Sequence, residues 1–462
     1  MQQIMMFPPS VQEFVPEGHL AHFVRETVRE ALDLSEILED YGEDRGQPPY
    51  HPVMMTALLL YGYCQGVYSS RRLARACAER VDFMAVTAMS QPDFRTISDF
   101  RKRHLNALKG LFVQVLRLCQ KQGLVKLGHV ALDGTKVKAN ASKHKAMSYG
   151  RMLKSEKDLA AEVGEWMKRA GSEDAREDRE HGPQRSGEEL PEWVANKQAR
   201  LEKIRQAKAA LETEAKAKST VAADGSSERE EKPRGGRPPK SPPGVPKDTA
   251  QRNFTDPESR IMKSGDGFVQ AYNGQAAVDS HAQIIVAQTL TNNAADATHL
   301  PEVVAQIKEN TRQQAREFSA DAGYCSEENL KELSRRRING FVATGRQKHG
   351  TASASGSARG GRRVRAMRLK LKRAGHRSRY RLRKQVVEPV FGQIKHARGF
   401  RQFLLRGLKK VSAEWSLICT AHNLLKLAGA RGQGMKSSLA PAQDRQAHRP
   451  LTQHPGLLTA RT

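Results

Sequence analysis

Glu388 is the only acidic residue between Glu332 and Glu414, a stretch that carries 24 Lys and Arg. A lone carboxylate there could serve as an ordinary salt-bridge partner. Its neighbours, Val386-Val387-Glu388-Pro389-Val390-Phe391-Gly392-Gln393-Ile394-Lys395, are mostly apolar and predict a buried setting for it. A buried carboxylate needs a cation. Two more carboxylates, Asp133 in Leu132-Asp133-Gly134 and Asp321 in Ala320-Asp321-Ala322-Gly323, each follow a short run that reads as a strand. Singly, each Asp could be a turn former, since Asp-Gly and Asp-Ala-Gly both favour turns. Jointly, three carboxylates from distant chain positions can converge on hard divalent cations. That arrangement suits phosphodiester chemistry, in which charge must be neutralised in the transition state and an oxygen nucleophile activated, and a pair of Mg²⁺ ions can do both.

The elements around these residues follow from periodicity. Leu127 to Leu132 reads as a buried strand that delivers Asp133 at its carboxyl end. Phe268 to Val278 and Ile284 to Leu290 read as a hairpin about Asp279-Ser280-His281. A helix from Pro301 to about Ala315, a strand ending at Asp321, a helix from Glu327 to Arg336 and a last strand at Phe341 to Ala343 complete a mixed α/β pattern. After Glu388, residues Trp415, Ile418, His422 and Leu425 share one helical face, where His422 reads as a packed or capping histidine rather than a ligand.

Residues from about 10 to 125 read as helical: a buried helix at Pro52 to Gln65, one from Ser69 or Ser70, and one from Thr96 or Ser98 to Gly123. Arg101, Lys102 and Arg103 cluster near the start of the last, so the segment could be a helix-turn-helix that contacts DNA or an ordinary bundle with a basic face. From Ser155 to about Lys247 the chain is charged and poor in large apolar residues, with one helix expected at Trp193 to Lys218. Arg234-Gly235-Gly236-Arg237-Pro238-Pro239-Lys240 could lie in a minor groove in the manner of an AT-hook, or be a basic linker.

The whole chain has 462 residues and a formal net charge of +27, which points to a polyanionic partner and first to nucleic acid. Five dispersed cysteines give no disulfide framework or zinc motif, and no apolar run is long enough to span a bilayer, so a reduced cytoplasmic chain off the membrane is expected. A phosphate-binding Gly-rich loop with a Lys-Ser or Lys-Thr end is absent, so no nucleotide cofactor is expected.

The chain resembles the DDE transposases of bacterial insertion sequences from about residue 10 to Leu427. The resemblance rests on Val130-Ala131-Leu132-Asp133-Gly134-Thr135-Lys136, Asn253-Phe254-Thr255-Asp256-Pro257-Glu258-Ser259-Arg260, Phe268-Val269-Gln270-Ala271-Tyr272-Asn273, Ala320-Asp321-Ala322-Gly323-Tyr324, and the segment around Glu388. It implies an α/β, RNase H-like catalytic domain at 126–145 and 265–428, interrupted by a charged helical insertion at 146–264. An all-α helix-turn-helix-like domain at 1–125 precedes it; the Gly-, Ala-, Gln-, Pro- and Ser-rich composition after about Gly429 separately predicts a disordered tail at 429–462. It implies that Asp133, Asp321 and Glu388 are the catalytic, metal-holding carboxylates, with two Mg²⁺ ions for which Mn²⁺ can substitute. In the Tyr-Arg-Glu-Lys signature of many relatives, Lys395 here matches the lysine, Lys384 stands in place of the arginine, and Arg381 holds the tyrosine position beside Tyr380. Tyr380, Arg381, Lys384 and Lys395 are then expected on DNA, along with Arg101, Lys102 and Arg103. The expected partners are double-stranded DNA, as transposon end and as target, and a second copy in a homodimer or larger assembly at the bacterial nucleoid. The alternative is a catalytically inactive or repurposed sequence-specific DNA-binding protein on the same scaffold.

Overall fold

The structure is a computed structural model describing residues 10–41, 50–181, 192–224, 242, 244–265, 267–345, 361–374 and 379–438. It opens with seven helices: α1 (Leu20–Glu26), α2 (Ser35–Leu38), α3 (Pro52–Cys64), α4 (Ser70–Glu79), α5 (Val81–Thr87), α6 (Phe94–Arg103) and α7 (Leu105–Lys121). Strands β1 (His129–Lys138) and β2 (Ala146–Ser148) lead to two long helices, α8 (Tyr149–His181) and α9 (Glu192–Asp224). Then come β3 (Gln251–Asn253), β4 (Arg260–Ser264), β5 (Gly267–Asp279), β6 (Ile285–Thr291), α10 (Leu300–Thr311), β7 (Glu317–Ala320), α11 (Glu327–Arg335) and β8 (Asn339–Val342). Helices α12 (Arg362–Ala374), α13 (Leu382–Gly392) and α14 (Leu408–Ser438) follow.

α3 carries buried residues on every side, with Pro52 at its first turn and the His51 ring accepting the Val53 N–H at 3.2 Å. The helix expected between Thr96 or Ser98 and Gly123 is instead two. Asp93 caps the first by accepting the Arg95 N–H at 2.8 Å, and His104 turns the chain between them. The break is tied to packing: the buried His104 ring hydrogen-bonds the Tyr41 hydroxyl at 3.2 Å and lies against Phe100.

The main sheet runs β4-β5-β1-β7-β8, with β6 also on β5. β1 pairs antiparallel with β5 over Val130 to Lys138 and parallel with β7 only as far as Leu132 opposite Ala320. β1 therefore extends well past its expected end, because long β5 supplies partners where β7 has stopped. Asp133 sits inside a strand, at the point where parallel pairing ceases. At the expected hairpin, Asp279 is fully buried and accepts from His281 N at 2.9 Å and Leu127 N at 2.7 Å, tying the β5–β6 turn to the entry of β1.

One continuous apolar core extends from Val15 to Leu427, so the N-terminal helices and the sheet share a core through α14. Ser416 Oγ donates to the Lys109 carbonyl at 3.1 Å across this junction. α8 and α9 pack on each other around a separate small cluster of Tyr149, Met152, Ile204, Ala207 and Leu211, and β2 pairs with β3 at their base. β4 lies within the span expected as insertion, yet it is an edge of the main sheet. The Asn253–Arg260 motif leads into that edge: fully buried Asp256 accepts from the Tyr272 hydroxyl at 2.9 Å and from Gly407 N at 3.2 Å, fastening the motif to the start of α14. α14 continues to Ser438, beyond the boundary expected at 428. The AT-hook-like segment lies outside the described residues. Among the described residues no helix is long and apolar enough to cross a membrane.

Candidate active site

Asp133 and Asp321 emerge side by side. Leu132 and Ala320 are the last register partners of the parallel pair β1–β7, and each aspartate is the next residue. Asp133 Oδ1 accepts its neighbour Gly134 N–H at 2.9 Å, and Asp321 Oδ1 accepts Gly323 N–H at 2.8 Å, which shapes the turn at Ala322–Tyr324. Burial pushes the Asp133 carboxyl up to about 6, and the like charge of Asp321 adds to the rise. The Arg383 guanidinium and the Gly134 N–H pull the other way.

Gly134 is no turn residue. A β-carbon there would lie 2.6 Å from Gln275 Nε2 and 3.0 Å from both Asn273 Oδ1 and Asp296 Oδ1, so any larger residue must displace the buried Gln275 amide from its hydrogen bonds. Gly134→Ala is expected to destabilise the protein by about 1–3 kcal/mol, as overpacking does. A denaturant midpoint equal to wild type would refute this close-packing account.

Helix α13 supplies the third wall. Val386, Val387 and Val390 are buried against the sheet, and Pro389 lies inside the helix. Proline removes the hydrogen bond to the carbonyl four residues back, and that carbonyl, on Gln385, accepts instead from Gln283 Nε2 at 3.2 Å. The helix and the helical turn that continues it at Gln393–Ala397 are pinned along β1 at two points. Arg383 Nη1 donates to Asp133 Oδ2, and Lys395 Nζ donates to the Lys136 carbonyl at 2.7 Å.

Glu388 lies between those two anchors, but its side chain is exposed. The apolar neighbours that predicted a buried carboxylate line the opposite side of the helix, toward the sheet, and so bury themselves rather than Glu388. Among the described residues no three acidic, histidine or cysteine side chains are gathered closely enough to enclose an ion. The pair Asp133 and Asp321 fits a divalent cation nonetheless. Both are hard oxygen donors, they adjoin each other, and burial disfavours the charged form of Asp133.

Arg383 is the residue that sequence reasoning missed. It is buried, its guanidinium carbon lies 5.9 Å from the Tyr380 ring centroid, and it grips Asp133. The signal was present: Tyr380 and Arg383 keep the tyrosine-x-x-arginine spacing of the signature, displaced one residue toward the N-terminus. Arg381 and Lys384, aligned by fixed distance from Glu388, are exposed.

The basic residues of α6 divide. Lys102 and Arg103 are exposed, Lys102 pairing with Asp99 at 3.1 Å. Arg101 was expected on DNA and is instead buried, donating to the Tyr68 carbonyl at 2.9 Å and Ser70 Oγ at 3.1 Å. It is an internal strut, because the α6 face that holds Ile97 and Phe100 packs inward and carries Arg101 with it. His422 is likewise packed. Its ring meets the Gln283 carbonyl at 2.9 Å, and burial holds its pKa down to about 3.

The Asp133 shift has a pH consequence. Its folded value near 6 exceeds the ordinary unfolded value of about 4, so the native state holds the proton more tightly and ionisation costs stability as pH rises from about 4 to 6. A bound cation would favour the ionised form. The rise in Tm produced by Mg²⁺ is therefore expected to shrink between pH 7 and pH 5; an equal rise at both pH values would contradict metal binding at Asp133.

Comparison with known families gives two matches: a transposase domain (DUF772) over residues 9–103, and a transposase DDE domain over residues 217–424. The second includes Asp321 and Glu388. Asp133 lies upstream of it and is brought beside Asp321 by strand pairing. No curated protein and no solved structure matches the chain. The proteins of this family act on DNA and generally use divalent metal ions. Two transposase domains in succession, with adjoining aspartates on neighbouring strands of the second unit's sheet, place the chain among the DDE transposases of insertion sequences, which are DNA-cutting enzymes.

Proposed function

We propose that this transposase binds the terminal inverted repeats of its element, cuts there with Mg²⁺, and joins the freed end to target DNA on an RNase H-like domain. The observation that carries the reading is the placement of Asp133 and Asp321 at adjacent strand positions, with the Glu388 helix pinned alongside by Arg383 and Lys395. An antiparallel set of strands continued by two parallel ones, with the first carboxylate on the central strand, supports the RNase H-like assignment.

Asp133, Asp321 and Glu388 would hold two Mg²⁺ ions, with Mn²⁺ able to substitute. The ions supply charge neutralisation and an activated oxygen nucleophile. Water attacks the phosphorus and the bond to the 3′ oxygen breaks; the released 3′-OH then attacks a target phosphodiester in the same site, forming a new P–O bond as the target strand's 3′ oxygen leaves with a proton. Lys395 and Lys384 would steady the phosphate as point charges. α12, seven of whose thirteen residues are Arg or Lys, would supply sequence-independent affinity. Its first turn is tied down by Glu327, which accepts from Arg363 N at 3.1 Å and Val364 N at 2.9 Å. Arg362, Arg363, Arg365, Lys372 and Arg373 face solvent. The N-terminal helices, with Lys102 and Arg103 outward, would read the end sequence. Two ends must meet, so the working form is a homodimer or larger, acting on nucleoid DNA.

The test is cleavage of a labelled duplex bearing the element's own end. Cutting at the end with Mg²⁺ and none with EDTA is the expected result. Binding without cutting in either condition would replace this reading with a non-catalytic DNA-binding module.

A further inference from the structure

Asp296 stands directly before the short helical turn at Ala297–His299, where an aspartate ordinarily caps, yet its side chain makes no cap bond there. Its Oδ1 instead accepts from Asn273 Nδ2 at 2.6 Å, Gln275 Nε2 at 2.8 Å and Lys136 Nζ at 3.4 Å. Lys136 and Gly134 on β1 face Asn273 and Gln275 on β5, and side chains alternate along a strand, so this network lies on the face away from the Asp133 carboxylate. Gln275 is fully buried and spends its N–H on Asp296; its Oε1 accepts from the buried Tyr324 hydroxyl, which closes the turn after Asp321.

The same carboxylate lies close to the backbone beside both catalytic candidates. A β-carbon on Gly134 would lie 3.0 Å from Asp296 Oδ1, and one on Gly323 would lie 3.3 Å from Asp296 Oδ2. Asp296 thus lies between the residue that follows Asp133 and the turn that Asp321 caps. An ionised carboxylate can only accept, which fixes the Gln275 amide with its oxygen toward Tyr324.

We infer that Asp296 is a positioning residue: through Gln275 and Tyr324 it sets the separation of Asp133 and Asp321, and thereby the affinity of the pair for a divalent cation. The inference rests on the metal-dependent reading above. Asp296→Asn keeps one oxygen for the Asn273 and Gln275 amides but removes the charge beside Lys136 and puts an N–H donor where Oδ2 faces the Gly323 turn, whereas Tyr324→Phe removes one hydroxyl at the far end of the relay and leaves the charge in place.

Mg²⁺ titration of the full chain without DNA, followed by thermal shift, reads the effect apart from activity. Each variant is expected to need about 10-fold or more Mg²⁺ for half-maximal stabilisation, with DNA binding in EDTA unchanged, as when other outer partners of metal ligands are removed. The Mg²⁺ requirement for cleavage should move in parallel. If the wild type responds and Tyr324→Phe or a folded Asp296→Asn titrates like it, the inference is wrong while the metal-dependent reading stands. Should Asp296→Asn not fold, Tyr324→Phe decides. A wild type indifferent to Mg²⁺ would remove both the reading and the inference.

Discussion

Glu388→Gln is expected to lower Mg²⁺-dependent cleavage of an end-bearing duplex by on the order of 10³-fold, which is about 4 kcal/mol of transition-state stabilisation. DNA binding in EDTA should stay within about 2-fold of wild type. Glu388 is exposed on α13, and the helix is held along β1 by Arg383 on Asp133 and by Lys395 on the Lys136 carbonyl. Its carboxylate therefore makes no folding contact that glutamine would break, so a loss of cutting with an unchanged Tm isolates a chemical role. Cutting that survives the substitution would mean that a different carboxylate completes the site, whereas a matching loss of DNA binding would assign Glu388 to the interface instead.

Arg383→Ala should cost about 3 kcal/mol of stability in the absence of metal, because it strands Asp133 in a mostly buried site next to Asp321. The Arg383 side chain is only 10% exposed and Asp133 19%, so solvent screens the pair little. Mg²⁺ should restore part of the loss, since a cation at Asp133 offsets the same charge. Arg383→Lys should fall between wild type and Ala: the charge remains, but the planar guanidinium set against the Tyr380 ring is lost. Thermal melts at pH 7 with and without Mg²⁺ check this. A Tm equal to wild type, or a loss that Mg²⁺ leaves untouched, would show that Arg383 does not act as the counter-ion of Asp133.

Local pattern was enough for much of the scaffold. The apolar run Pro52 to Gln65, the β5–β6 hairpin about Asp279, and the strand before Asp321 follow from residue type and periodicity, which reflect burial along a single element. The Asp133, Asp321 and Glu388 segments were conspicuous for a similar reason: carboxylates stood out against apolar or basic surroundings. Sequence could not place side chains whose fate depends on a partner far along the chain. Arg101 and Lys102 are neighbours of like charge, yet one is an internal strut beside Tyr63 and the other is solvated, because α6 turns only one of them toward α3. Counting back a fixed distance from Glu388 chose Lys384, whereas helix phase turned Arg383 to the sheet.

The sequence by itself determined that this is a basic chain with transposase motifs and three candidate carboxylates, since charge and local hydrophobic pattern are properties of the residues in order. Only the tertiary structure decided that β1 runs on past Asp133, that Glu388 is exposed, and that Asp296 lies close to both Gly134 and Gly323. These depend on strand register, helix phase and contacts between residues more than a hundred positions apart, and a one-residue change in register or phase reverses the face a side chain meets.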